Sequence, residues 1–147
     1  MTDEERHAHG MEVRRAVLGD AHVDAALART TPLDAPFQEL IVGSAWADVW
    51  GRPGLERPTR SLITIALLAA LGHEDELVMH LRAARRTGAS EERIAEALLH
   101  VAIYAGVPAA NRAFSALRRV AAEEPEGGAQ GDTVGPGGAD GADGTTT

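Results

Sequence analysis

Glu76 and His80 stand four residues apart in the stretch Glu74-Asp75-Glu76-Leu77-Val78-Met79-His80, so on a helix their side chains meet on one face. A carboxylate beside an imidazole raises the imidazole's basicity and fixes its tautomer, which makes the pair a proton-transfer device near neutral pH. The same spacing also describes an ordinary surface pair worth roughly a few tenths of a kcal/mol. His73 lies seven residues before His80, about 10 Å away along a helix axis and too far to share one metal ion. HExxH is absent and no third ligand accompanies Glu76 and His80, so no metal site is expected.

Arg52, Arg57 and Arg60 surround a chain break, Gly51-Arg52-Pro53-Gly54, and the start of an apolar helix. Cations there oppose the helix dipole, which suggests an anion held by guanidinium groups and free backbone N–H groups. Ordinary solvated arginines fit the same pattern. Trp46 and Trp50, four apart, can wall a pocket or fill a core or subunit interface. Tyr104 is the only phenol; it ends a helix, where it can donate to a ligand or merely pack. The chain has no Cys, which removes thiolate catalysis, disulfides and zinc–thiolate sites. No GxSxG, phosphate loop or dinucleotide fingerprint is present.

The elements that must position these groups read as helices. Met11 to Leu18 has helical spacing, and Asp20 can cap a short helix through Ala28. Asp34, with Pro36 in the first turn, opens a helix to about Trp50 whose apolar residues Phe37, Leu40, Ile41, Ala45 and Trp46 recur at three-and-four spacing. Pro58 starts the next, which ends near Gly72; apolar nearly all round, it is expected at the centre of the core. Residues 74–87 form another, closed by Gly88. Ser90 caps a helix to about Tyr104, and Gly106-Val107-Pro108 turns into a last one to about Ala122. No strand pattern of useful length appears. The expectation is an all-α bundle of about six to seven helices over residues 1–122.

Residues 123–147 are mostly Gly, Ala, Asp and Thr, and they read as a disordered acidic tail. Six of the 22 acidic residues lie beyond the last arginine at 119, so most of the net charge of −8 belongs to that tail. The charge balance argues against nucleic acid as a partner, though not against small anions met by focused arginines. All 14 basic residues are Arg, which suits planar recognition of carboxylates and equally reflects a nucleotide bias. The longest apolar run, Leu62 to Leu71, is too short for a bilayer, which needs about 20 residues. With a polar start, MTDEERHAHG, a cytoplasmic protein is expected. With 2 Trp, 2 Phe and 1 Tyr, the core is aliphatic and modest, and association of subunits would add burial. Taken alone, these residues describe a small helical acidic protein with one candidate Glu–His pair.

Several stretches go further. Arg14-Arg15-Ala16-Val17-Leu18-Gly19-Asp20-Ala21-His22-Val23, Pro36-Phe37-Gln38-Glu39-Leu40-Ile41, Trp50-Gly51-Arg52-Pro53-Gly54-Leu55, Thr59-Arg60-Ser61-Leu62, Glu74-Asp75-Glu76-Leu77 followed by His80, and Ala102-Ile103-Tyr104-Ala105-Gly106-Val107-Pro108-Ala109-Ala110-Asn111 together resemble the carboxymuconolactone decarboxylase family over about residues 7–120. The resemblance implies the helical fold of the alkylhydroperoxidase-D-like proteins, assembled as a homo-oligomer, usually a hexameric ring. The peroxidase branch of that superfamily carries CxxC ahead of the helix His; His73 and Glu76 stand there instead, which rules out thiol peroxidase chemistry.

The implied reaction is cofactor-free loss of CO₂ from 4-carboxymuconolactone, a small dicarboxylate lactone, giving 3-oxoadipate enol-lactone in protocatechuate catabolism. On that expectation Arg52 and Arg60 hold the carboxylates. Protonated His80, held by Glu76, protonates a carbon. Trp46, Trp50 and Tyr104 line the substrate. Asp48 stays outside the catalytic set. Action on another lactone or oxo acid, or anion binding without turnover, are the alternatives.

Overall fold

The computed structural model describes residues 1–125. Helix α1 spans Asp3–Leu18 and starts well before Met11, because Thr2 and Glu5 form a reciprocal capping box. Glu5 N–H donates to the Thr2 hydroxyl while the Thr2 N–H donates to the Glu5 carboxylate. Helix α2, Asp20–Arg29, follows a turn at Gly19; Asp20 is its first residue rather than its cap. Helix α3, Ala35–Ile41, has Pro36 in its first turn as expected, but Asp34 caps nothing. Its carboxylate instead accepts from the Thr31 backbone N–H and hydroxyl.

The predicted helix to Trp50 is continuous with α3 but changes its bonding: Val42–Trp50 is π-helical. The remaining four helices stand close to where the sequence puts them. They are α4 (Arg57–Leu71), α5 (Glu74–Thr87), α6 (Glu91–Tyr104) and α7 (Val107–Ala121). Gly88 closes α5 at φ 88°, and the Ser90 hydroxyl accepts from the Arg93 N–H at the start of α6. Among the described residues no strand forms, and no helix is long and apolar enough to cross a membrane. The chain is all-α. Residues 126–147, most of the expected tail, lie outside the described residues.

Two cores share α5 as a common wall. Leu77, Leu81 and Ala84 of α5 join Ile65, Ala69, Ile94, Leu98, Val101 and Ala113 of α4, α6 and α7 in the larger one. On the opposite face, Ala83 and Met79 meet Val13, Val17 and Leu18 of α1, Val23 of α2, and Trp46 and Trp50. The π segment packs closely along α1. A Cβ on Gly10 would stand 2.2 Å from the Val42 carbonyl oxygen, so only glycine fits that crossing. The Arg6 guanidinium grips the Asp48 carboxylate with two nitrogens and pins the two elements at their ends.

One expectation is corrected here. Helix α4 is not enclosed: Ile65 and Ala69 are buried, whereas Ile63, Leu67 and Leu71, recurring every four residues, are exposed. Its apolarity all round supplies two faces, of which the single chain covers one.

Candidate active site

A cavity of about 790 Å³ opens where α1, α2, α3, the π segment and α5 meet. His80 projects into it from the face of α5 that meets the smaller core, and only 7% of the residue is exposed. Its ring lies nearly parallel to both indoles, with centroids 6.3 Å from Trp46 and 5.9 Å from Trp50. The indoles themselves are 5.5 Å apart. Both indoles ride on the π segment, about one turn apart. Trp46 and Trp50 therefore present two ring faces to one imidazole.

Burial against these rings pushes the His80 pKa down to about 4, helped by the positive charge of His22. The ligand-free imidazole is thus neutral at pH 7. Its Nδ1 is buried and has no hydrogen-bond partner, an unsatisfied state that costs free energy.

Glu76 shares the cavity with His80 but stands exposed at its mouth, and no hydrogen bond joins the two. The expected carboxylate–imidazole hydrogen bond is therefore not formed. The indoles, not a carboxylate, orient His80.

Arg52, Arg60 and Tyr104 lie outside this cavity. Arg52 is exposed, and Arg60 donates from Nη2 to the Arg52 carbonyl at 3.0 Å while its Nε is buried without a partner. Tyr104 is 86% exposed and stacks on His100 at 6.4 Å. Asp48 is engaged by Arg6 on the outer side of the π segment.

Other arginines face the cavity: Arg14, Arg29, Arg82, Arg86 and Arg119, against two carboxylates, Asp75 and Glu76. Composition could not single them out, since every basic residue here is Arg. Arg14 differs from the rest in being 4% exposed. Its Nη2 donates to the Gln38 amide oxygen at 3.1 Å, while Nε and Nη1 are buried without partners. Burial and the neighbouring Arg15 lower its pKa from the usual guanidinium range. The sequence signal for it was an arginine within the apolar repeat Val13, Val17 and Leu18, on the buried side of α1. His22 also lines the cavity.

The geometry is a basic, half-apolar cavity around a buried imidazole. Residues 35–119 match the profile of the "Carboxymuconolactone decarboxylase family". The chain belongs to that family. It is 48% identical to the 4-carboxymuconolactone decarboxylase of Acinetobacter baylyi over 120 residues, covering 82% of this chain and 90% of that protein. It is 44% identical to the nitrosuccinic acid decarboxylase of Metarhizium robertsii over 111 residues, covering 73% and 78%. A 48-residue sequence of the Pseudomonas putida 4-carboxymuconolactone decarboxylase matches over its whole length at 48% identity, covering 33% of this chain. The family match begins at α3, so it includes the π segment and α5 but leaves Arg14 and His22 outside.

Proposed function

We propose that the chain is a carboxy-lyase that converts 4-carboxymuconolactone to 3-oxoadipate enol-lactone and CO₂. The observation that carries this reading is the His80 ring stacked on Trp46 and Trp50 inside an arginine-framed cavity. The names of the relatives from A. baylyi and P. putida support the same substrate.

The chemistry needs little beyond these groups. In the substrate, one ring carbon carries both the departing carboxylate and an acetate arm, and a ring double bond conjugates that carbon to the lactone carbonyl. When the carbon–carboxylate bond breaks, its electron pair moves through the double bond onto the carbonyl oxygen, and neutral CO₂ leaves. The resulting oxyanion takes a proton at the ring carbon next to the carbonyl. One proton is consumed and one CO₂ released per turnover.

The apolar rings of Trp46 and Trp50 favour the change from carboxylate to neutral CO₂, because the charged group is poorly solvated beside them. The arginines of the cavity oppose the charge that gathers on the lactone oxygen. His80 delivers the proton. A dianion bound beside the buried imidazole raises its proton affinity, so substrate binding charges the acid that later acts. A proton from solvent, entering at the mouth beside Glu76, reloads His80 after each turnover. No electron-sink cofactor or metal is required, since the lactone supplies the sink. Arg52, Arg60 and Tyr104 have no part in this scheme.

Purified protein incubated with 4-carboxymuconolactone should release CO₂, and His80→Ala should cut the rate by about 10²–10⁴, the usual worth of a general acid. A mutant with the wild-type rate removes His80 from the mechanism. The nitrosuccinic acid relative favours a second substrate of like logic, a dicarboxylate whose nitro group accepts the electron pair. Turnover of nitrosuccinate with the lactone inert would transfer the reading to that substrate.

The same reading includes a homo-oligomer working in the cytoplasm, hexameric on the family resemblance. The uncovered row Ile63, Leu67 and Leu71 on α4, with Leu99 and Ile103 on the adjacent α6, supports association of subunits.

A further inference from the structure

We propose that Arg14 grips the carboxylate that the product keeps, the acetate arm, and so makes an acid group remote from the reacting carbon a requirement of this cavity. The inference rests on the decarboxylase reading and adds to it the residue that orients the substrate.

Four observations converge on Arg14. The residue is 4% exposed and lines the same cavity as His80. Its Nε and Nη1 are buried with no partner. No carboxylate among the described residues pairs with it: Asp48 goes to Arg6, Asp20 and Asp24 go to Arg15, Glu74 to Arg112 and Glu123 to Arg82. Finally, Nη2 is held by Gln38, which makes Gln38 a positioning residue that sets the plane of the guanidinium.

A buried cation without a counter-ion is costly, and a protein that keeps one usually meets the missing charge from a ligand. Nη1 and Nη2, the latter with a second hydrogen beyond the one given to Gln38, share one edge of the planar guanidinium, and such an edge matches the two oxygens of one carboxylate.

The chemistry decides which carboxylate. A strong grip on the departing group would stabilise the ground state and be lost as CO₂ forms, which slows the reaction. The acetate arm keeps its charge from substrate to product. A cation that holds it binds every state equally and fixes the ring in place. The departing carboxylate is then left toward the apolar faces of the indoles.

The test uses two ligands. One is 4-carboxymuconolactone. The other is (5-oxo-2,5-dihydrofuran-2-yl)acetate, which has the same ring and acetate arm but no carboxylate to lose. Wild-type protein should turn over the first and bind the second, with the second raising its thermal midpoint. Arg14→Met should raise KM at least about 10-fold with kcat changed by no more than a few-fold, the pattern of lost uniform binding. It should also abolish the midpoint shift caused by the acetate. With the unpaired charge gone, the ligand-free mutant should melt no lower than wild type. Gln38→Leu should raise KM by a smaller factor, also at nearly constant kcat.

An active wild type with unchanged KM and acetate binding in Arg14→Met overturns the proposal and leaves the decarboxylase reading standing. A wild type inert toward both ligands overturns both. If Arg14→Met does not fold, Arg14→Lys decides: a point charge in place of the fork should raise KM at preserved kcat, and an unaltered KM counts against Arg14.

Discussion

An imidazole that burial pushes down to about pKa 4 links stability to pH in a known direction. The unfolded chain binds a proton at His80 from about pH 6.5 downward, the folded chain only from about 4. Between those values the unfolded state carries more protons, so acidification destabilises the fold by on the order of 3 kcal/mol from this one group. His80→Phe keeps the ring stack without the titration. Urea midpoints measured against pH should fall for wild type across this window, and the mutant should lack that share of the loss.

The same residue makes a kinetic prediction. The pH dependence of kcat/KM reports the free enzyme and that of kcat the complex. If the bound dianion charges His80, activity should decline with rising pH at a higher pH in kcat than in kcat/KM. Coincident profiles would assign the proton to another donor. His80 was legible as a candidate acid from its helical spacing with Glu76. That the imidazole leans on two indoles rather than on the carboxylate was not, because the stack joins α5 to a segment some thirty residues earlier in the chain.

The crossing of α1 and the π segment decides where those indoles stand. Gly10→Ala would drive a methyl group into the Val42 carbonyl, so either the helices part or the backbone bends. A cost of about 1–3 kcal/mol is expected, as for other overpacked sites. Because Trp46 and Trp50 ride on the displaced segment, kcat should fall as well. Chemical denaturation and steady-state kinetics on the same mutant check both, and a stability loss with full activity would show that the indoles tolerate the shift.

Elements whose ends are set locally were readable from sequence. Gly88 and Ser90 mark the boundary of α5 and α6 with no help from the rest of the molecule. The start of α1 was also written locally, as Thr2 and Glu5, though the apolar spacing alone begins at Met11. The π bonding of Val42–Trp50 left no such mark, since its apolar pattern fits an α-helix equally well. That Arg52 and Arg60 stand away from the His80 cavity left no mark either, since it depends on how the break between the π segment and α4 is placed against the other helices.

At the scale of the molecule, the exposed row on α4 should govern association. Leu67→Glu places a charge in the middle of that row and should shift the protein toward smaller species in sedimentation velocity, with the helical content of the single chain retained. An unaltered distribution would put the contact on another face. This was half legible: an apolar helix asks to be covered, but the sequence does not say whether its own chain or a copy does the covering.

Both tryptophans of the chain lie against the His80 ring. Since a protonated imidazole quenches a neighbouring indole far more than a neutral one, the ultraviolet fluorescence of this protein is a built-in gauge of a single ring's charge. Arrival of a dianionic ligand should dim it within the mixing time of a stopped-flow cell, and release of product should restore it, with no dye or label attached.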